Sequence, residues 1–148
     1  MTGNNDYKGI TNVLKGNLIV NGTNSGTGAV NVMKDAILSG KGSIAGVVRI
    51  YEGGKLQAGD VEEGANGARL TLKGNLEVRT GGVVSLLTDG SSYNTISAGS
   101  VTLEDEAVIQ IGDEADALFF VDGETIPVFS AGVKVNGKVQ MIPDTLSL

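Results

Sequence analysis

Short apolar runs with period-two alternation recur along the chain, separated by glycine-bearing turns. Leu76 and Val78 face one way, while Asn75, Glu77 and Arg79 face the other; Val101 and Leu103 oppose Thr102 and Glu104 in the same manner. Such alternation predicts strands with one buried and one wet face. Strands are expected at 18–20, 29–33, 47–51, 70–72, 76–78, 83–87, 101–103, 108–111, 126–129 and 133–135. Most are bounded by Gly, Asn, Asp or Ser, as strands should be. The best helical stretch, 113–120, bunches its apolar residues at one end and reads as a loop entering a strand.

The alternating segments also repeat. Leu14-Lys15-Gly16-Asn17-Leu18-Ile19-Val20 returns as Leu72-Lys73-Gly74-Asn75-Leu76-Glu77-Val78, with six of seven positions identical. A looser unit begins at Gly28, Gly46, Gly74 and Gly99: glycine, apolar residues two and four places on, a turn, and a second apolar stretch. These starts lie 18, 28 and 25 residues apart. A period of roughly 20–30 residues built from strands and turns is the signature of a stacked repeat, here of about five or six coils.

The expected fold is therefore all-β, a single-stranded parallel β-helix. Leu18, Val30, Val48, Leu76 and Val101 should enter one continuous core, each following its glycine at the same distance. The competing architecture is a β-sandwich made of hairpins, which Asn21-Gly22, Asp89-Gly90, Asp122-Gly123 and Asn136-Gly137 would suit. Recurrence of a whole strand-turn-strand unit favours stacking, since like residues then sit above like. The domain reading is one β-solenoid over 1–148, read as a fragment of a longer protein. Residues 1–12 form an N-terminal cap or a disordered lead, and 126–148 a terminal coil or cap.

Composition narrows the chemistry. The 148 residues include 23 glycines and two prolines, which suits tight turns and excludes a Pro-rich linker. There is no cysteine, hence no disulfide or thiolate metal site, and no histidine, the commonest general base and zinc ligand. The net charge of −6 argues against binding nucleic acid and against docking on an anionic membrane. No run approaches a membrane-spanning helix, and direct membrane insertion by this segment is not expected. Residues 1–6 have neither the basic start nor the apolar core of a signal peptide.

The order of motifs resembles a known family. Ile37-Leu38-Ser39-Gly40-Lys41-Gly42-Ser43-Ile44-Ala45-Gly46 is followed by Glu52-Gly53-Gly54-Lys55-Leu56-Gln57-Ala58-Gly59-Asp60. Leu70-Thr71-Leu72-Lys73-Gly74-Asn75-Leu76-Glu77-Val78 comes next, and continuations run from Asn94 to Leu103 and from Asp122 to Gly132. Over residues 28–132 this resembles the autotransporter-associated β-strand repeat of bacterial passenger regions. The resemblance implies a right-handed parallel β-helix at the bacterial cell surface or outside the cell. It implies a stalk or display scaffold with no catalytic residues to carry over.

Candidate chemistry is sparse. Gly40-Lys41-Gly42-Ser43-Ile44-Ala45 has the dinucleotide-binding form, with Asp60 about twenty residues on, but a strand follows where that site needs a helix. It reads as a turn; Ser39, just before it, and Lys41 are read as lying in that turn, and no S-x-x-K motif occurs. Three acidic groups occur: Asp60, Glu62 and Glu63; Glu104, Asp105 and Glu106; Asp113, Glu114 and Asp116. None has calcium-loop spacing, so they read as solvated loops. The few aromatics are Tyr7, Tyr51, Tyr93, Phe119, Phe120 and Phe129, with no Trp; that weakens sugar-stacking and outer-membrane barrel readings.

The expected function is a non-catalytic structural or adhesive segment of a bacterial exported surface protein. No catalytic, cofactor or metal site is assigned, and no cofactor is expected. A host or cell-surface glycan or protein is the expected partner class, with weak self-association through coil ends that salt would strengthen by screening acidic repulsion. The alternatives are a lyase-like carbohydrate-active or carbohydrate-binding β-helix, and a trimeric phage-fibre-like spike.

Overall fold

A computed structural model describes residues 1–59, 68–86, 94–111, 133–135 and 140–142. The described regular structure is all strand, arranged in two sheets of nine and six strands. Every strand pair in them is parallel.

The chain visits the same strand positions repeatedly. Its first pass comprises β1 (Asn4–Asn5), β2 (Thr11–Val13) and β3 (Gly16–Ile19). The second is β4 (Thr23–Asn24), β5 (Val30–Val32) and β6 (Ala36–Gly40); the third is β7 (Ser43–Ile44), β8 (Val48–Ile50) and β9 (Lys55–Ala58). In the next two passes the first two positions fuse into long strands, giving β10 (Arg69–Val78) with β11 (Val83–Leu86), then β12 (Thr95–Leu103) with β13 (Val108–Ile111). β14 (Val133–Val135) and β15 (Gln140–Ile142) pair onto β12 and β13. First- and second-position strands make the nine-stranded sheet, third-position strands the six-stranded one.

The register follows the glycine-led unit. Val30 pairs with Val48, Val48 with Leu76, and Leu76 with Val101, so the spacings of 18, 28 and 25 residues are the real step from pass to pass. All four are buried. A second inward ladder runs Val13, Val32, Ile50, Val78, Leu103, and the six-stranded sheet faces it with Leu38, Leu56 and Val84. Each such side chain taken from water stabilises the fold by about 1.5–3 kcal/mol.

Leu18 departs from the expected ladder. It lies on β3 in the six-stranded sheet, opposite Leu38, and is half-buried at the edge of the core. The near-identical heptamers therefore occupy different places. Gly16 has φ 84° and sits in a corner, whereas Gly74 lies inside β10. Strand role follows from distance to the previous pass, and local identity does not report that.

Two kinds of corner make the returns possible. Gly16, Asp35, Gly53, Gly81 and Glu106 all have positive φ and form one hydrogen-bonded column from pass to pass. At the other corner, a Cβ on Gly28 would lie 2.1 Å from the Gly9 carbonyl oxygen, and one on Gly46 2.1 Å from that of Gly28. Only glycine permits backbones to stack so closely. The hairpin sandwich is not what forms. Asn21-Gly22 links β3 to β4, strands of different sheets, and the antiparallel contact Gly40–Gly59 is an isolated bridge. The other three Asn-Gly or Asp-Gly pairs, and the segments 113–120 and 126–129, lie outside the described residues.

Candidate functional site

The outer face of the first strand position carries a file of neutral polar side chains. Asn4 pairs in register with Thr23, Thr23 with Ser43, Ser43 with Thr71, and Thr71 with Ser97. Parallel register sets their spacing at about 4.8 Å. Beside the file, Gly3, Gly22 and Gly42 stack so tightly that a Cβ on Gly22 would lie 2.1 Å from the Gly3 oxygen, and one on Gly42 2.1 Å from the Gly22 oxygen. With no side chain to fill it, this strip is an open groove of about 380 Å³ lined by these glycines, Asn4, Asn21, Thr23, Lys41, Ser43 and Thr71. At Thr71, whose N–H donates to the Gly42 carbonyl at 3.0 Å, the chain straightens into β10.

Other outward polar columns are occupied with one another. Asn31 Nδ2 donates to Asn12 Oδ1 at 2.9 Å, and Ser100 Oγ to Asn75 Oδ1 at 2.8 Å. Arg49 Nε donates to Glu77 Oε2 at 2.7 Å, with Arg79 Nη2 on the same oxygen at 3.3 Å. In contrast, the Asn4, Thr23, Ser43 and Thr71 side chains make no hydrogen bond among the described residues. They offer donors and acceptors of no net charge, which can hold a neutral polar polymer, and Lys41 adds a cation to the lining.

Of the motifs singled out in the sequence, only the Gly40–Ala45 stretch reaches the groove, through Lys41, Gly42 and Ser43. Gly40-Lys41-Gly42 is the corner from β6 to β7 (Gly40 φ 124°), and a strand follows where a pyrophosphate site would need a helix. Glu104, Asp105 and Glu106 form the corner between β12 and β13, where the Glu106 carbonyl accepts the Gly81 N–H at 3.2 Å. The acidic groups at 60–63 and 113–116 lie outside the described residues. Among the described residues no cluster of three or more acidic side chains is placed to hold a metal ion, and no helix is long and apolar enough to cross a membrane. Apolar alternation cannot reveal the groove, because three of the strands that line it are only two residues long. The signal that does mark it is glycine followed directly by Asn, Thr or Ser at Gly3, Gly22 and Gly42.

In comparisons with known proteins, no family model matches the chain and no curated protein matches it significantly.

Proposed function

We propose that the stacked passes form a right-handed parallel β-helix, and that the chain is a non-catalytic structural or adhesive segment of a bacterial exported surface protein. The observation that carries this reading is the unbroken parallel register from Thr11 through Val30, Val48, Leu76 and Val101 to Val133. A chain that returns to the same strand positions pass after pass builds a rod, and a rod acts through its length and surface. The right hand is supported by the general handedness of strand–crossover–parallel strand connections. The surface location rests on the motif resemblance over residues 28–132.

Within that reading the groove beside Thr23, Ser43 and Thr71 is the adhesive face, and a glycan or an extended polar peptide is the ligand class. The carbohydrate-binding alternative is favoured by the same groove, since the side chains of Asn4, Thr23, Ser43 and Thr71 make no hydrogen bond among the described residues. A glycan array probed with the wild type and with a Thr23→Val/Ser43→Ala/Thr71→Val variant tests adhesion. The same glycans, assayed for new reducing ends or unsaturated products, test catalysis. Adhesion predicts binding lost in the variant and no product. Reproducible turnover would replace this reading with the carbohydrate-active one.

A further inference from the structure

The groove beside Thr23, Ser43 and Thr71 leaves two ligand classes, a glycan or an extended polar peptide, and two observations choose between them. The first is the backbone. Thr23 donates its N–H to the Gly3 carbonyl at 2.9 Å, Ser43 to that of Gly22 at 3.0 Å and Thr71 to that of Gly42 at 3.0 Å. Gly22 and Gly42 donate theirs to the Met1 and Val20 carbonyls at 3.1 and 2.9 Å. The amide donors along the groove are thus spent on joining one pass to the next. An extended peptide draws its affinity from backbone hydrogen bonds to a strand that still has them to give. Here the side chains of the file are what a ligand meets, and hydroxyls and amides both donate and accept, as the hydroxyls of a sugar require.

The second observation is spacing. Asn4, Thr23, Ser43 and Thr71 follow the stacking direction, one to a pass, at about 4.8 Å. An extended peptide repeats its side chains on one face every two residues, about 6.7 Å, and so slips out of register with the file by about 2 Å at each pass. A glycan whose rings are linked through opposed equatorial positions, as in β-1,4-linked glucose, is a straight ribbon that advances by nearly one strand spacing with each sugar. Its rings carry hydroxyls along both edges, so successive passes meet successive sugars. A chain linked through an axial position coils away from a straight file. At Gly22 and Gly42 no side chain stands in the way of a flat ring lying beside the file.

We infer that the groove binds a linear, equatorially linked glycan lying along the stack, one sugar to a pass. The inference rests on the adhesive reading and narrows its ligand. The lining crosses four passes, from Asn4 to Thr71, and so spans four sugars. It contains no aromatic ring, so the contacts are hydrogen bonds, to which Lys41 adds further donors. Binding is therefore weak for one sugar and accumulates along the chain.

NMR titration of the isotope-labelled protein tests this. The probes are β-1,4-linked oligomers of glucose and of N-acetylglucosamine, two to six sugars long, beside α-1,4-linked glucose oligomers of the same lengths. Affinity for a β-1,4-linked series should rise about twofold to tenfold with each added sugar up to four, and then level off. The amide shifts should gather on Asn4, Thr23, Ser43 and Thr71. Thr71→Val should lower the plateau to three sugars while melting like the wild type, since that side chain makes no hydrogen bond among the described residues. Equal affinity for the α- and β-linked series, affinity that does not grow with length, or no binding of either β-linked series would overturn the inference. The adhesive reading fails separately: it survives any of these results if the glycan array, or an extended Ser/Thr-rich peptide, shows binding that the Thr23→Val/Ser43→Ala/Thr71→Val variant loses.

Discussion

The backbone N–H of Asp35 donates to the carbonyl of Gly53 at 3.2 Å, joining two left-handed residues of consecutive passes. The column continues from Gly53 to Gly81 at 3.1 Å and from Gly81 to Glu106 at 3.2 Å. Left-handed backbone costs an L-residue about 1–2 kcal/mol, offset in part by the extra unfolded-state freedom of glycine, about 0.5–1 kcal/mol. Glu106→Gly should therefore stabilise the protein by about 0.5–1 kcal/mol. Asp35→Gly should gain less, since Asp tolerates this region better. Gly53→Ala and Gly81→Ala should each destabilise by about 1–2 kcal/mol. Urea unfolding of the four variants checks the order.

The two heptamers give a second prediction. Leu72 is 1% exposed and Leu14 69% exposed, although each opens the same motif. Leu72→Ala should cost about 2–5 kcal/mol, and Leu14→Ala no more than about 0.5 kcal/mol. Leu76→Asp places an unpaired charge in the core and should abolish cooperative folding. Thermal melts followed by circular dichroism would show it, and a Leu76→Asp melt like the wild type would mean that Leu76 is not buried.

Asn94 is a buried staple between passes. Its Nδ2 donates to the Ala58 carbonyl at 3.0 Å, and its Oδ1 accepts the Ala68 N–H at 3.0 Å. Asn94→Ala removes both of these hydrogen bonds from a buried position and should cost about 2–4 kcal/mol. Asn94→Asp should also destabilise, because it removes the donor and buries a charge. Chemical denaturation of both variants checks this.

The Arg49–Glu77 pair should contribute little. Both side chains are partly exposed, and Arg79 remains on the Glu77 carboxylate when Arg49 is removed. A double-mutant cycle on Arg49→Ala and Glu77→Ala should give a coupling of about 0.3–1 kcal/mol, reduced by salt.

Much of the nine-stranded sheet was legible in the sequence. Val30, Val48, Leu76 and Val101 each stand two places after a glycine, and their alternation with polar residues is what a half-buried strand requires. The six-stranded sheet was harder to read, because Ser39, Gln57 and Ser85 are buried polar residues within its strands and break the alternation. The strands at Asn4–Asn5, Thr23–Asn24 and Ser43–Ile44 have almost no apolar signature. Glycine corners and backbone hydrogen bonds hold them, and these leave a spacing of glycines rather than a hydrophobic period. The strongest local identity, between the heptamers, misleads because a strand's place depends on which pass lies beneath it. The candidate groove was not legible for the same reason as its short strands.

The parallel in-register stack is tested most directly by pyrene labels on adjacent passes. The chain has no native cysteine, so Ser43→Cys with Thr71→Cys can be labelled cleanly, as can Glu77→Cys with Thr102→Cys. These pairs are 28 and 25 residues apart in sequence but directly opposite in register, about 4.8 Å between strands. Both labelled proteins should show excimer emission that persists on dilution, as an intramolecular contact must. Monomer emission alone from both pairs would contradict the stack and, with it, the β-helix.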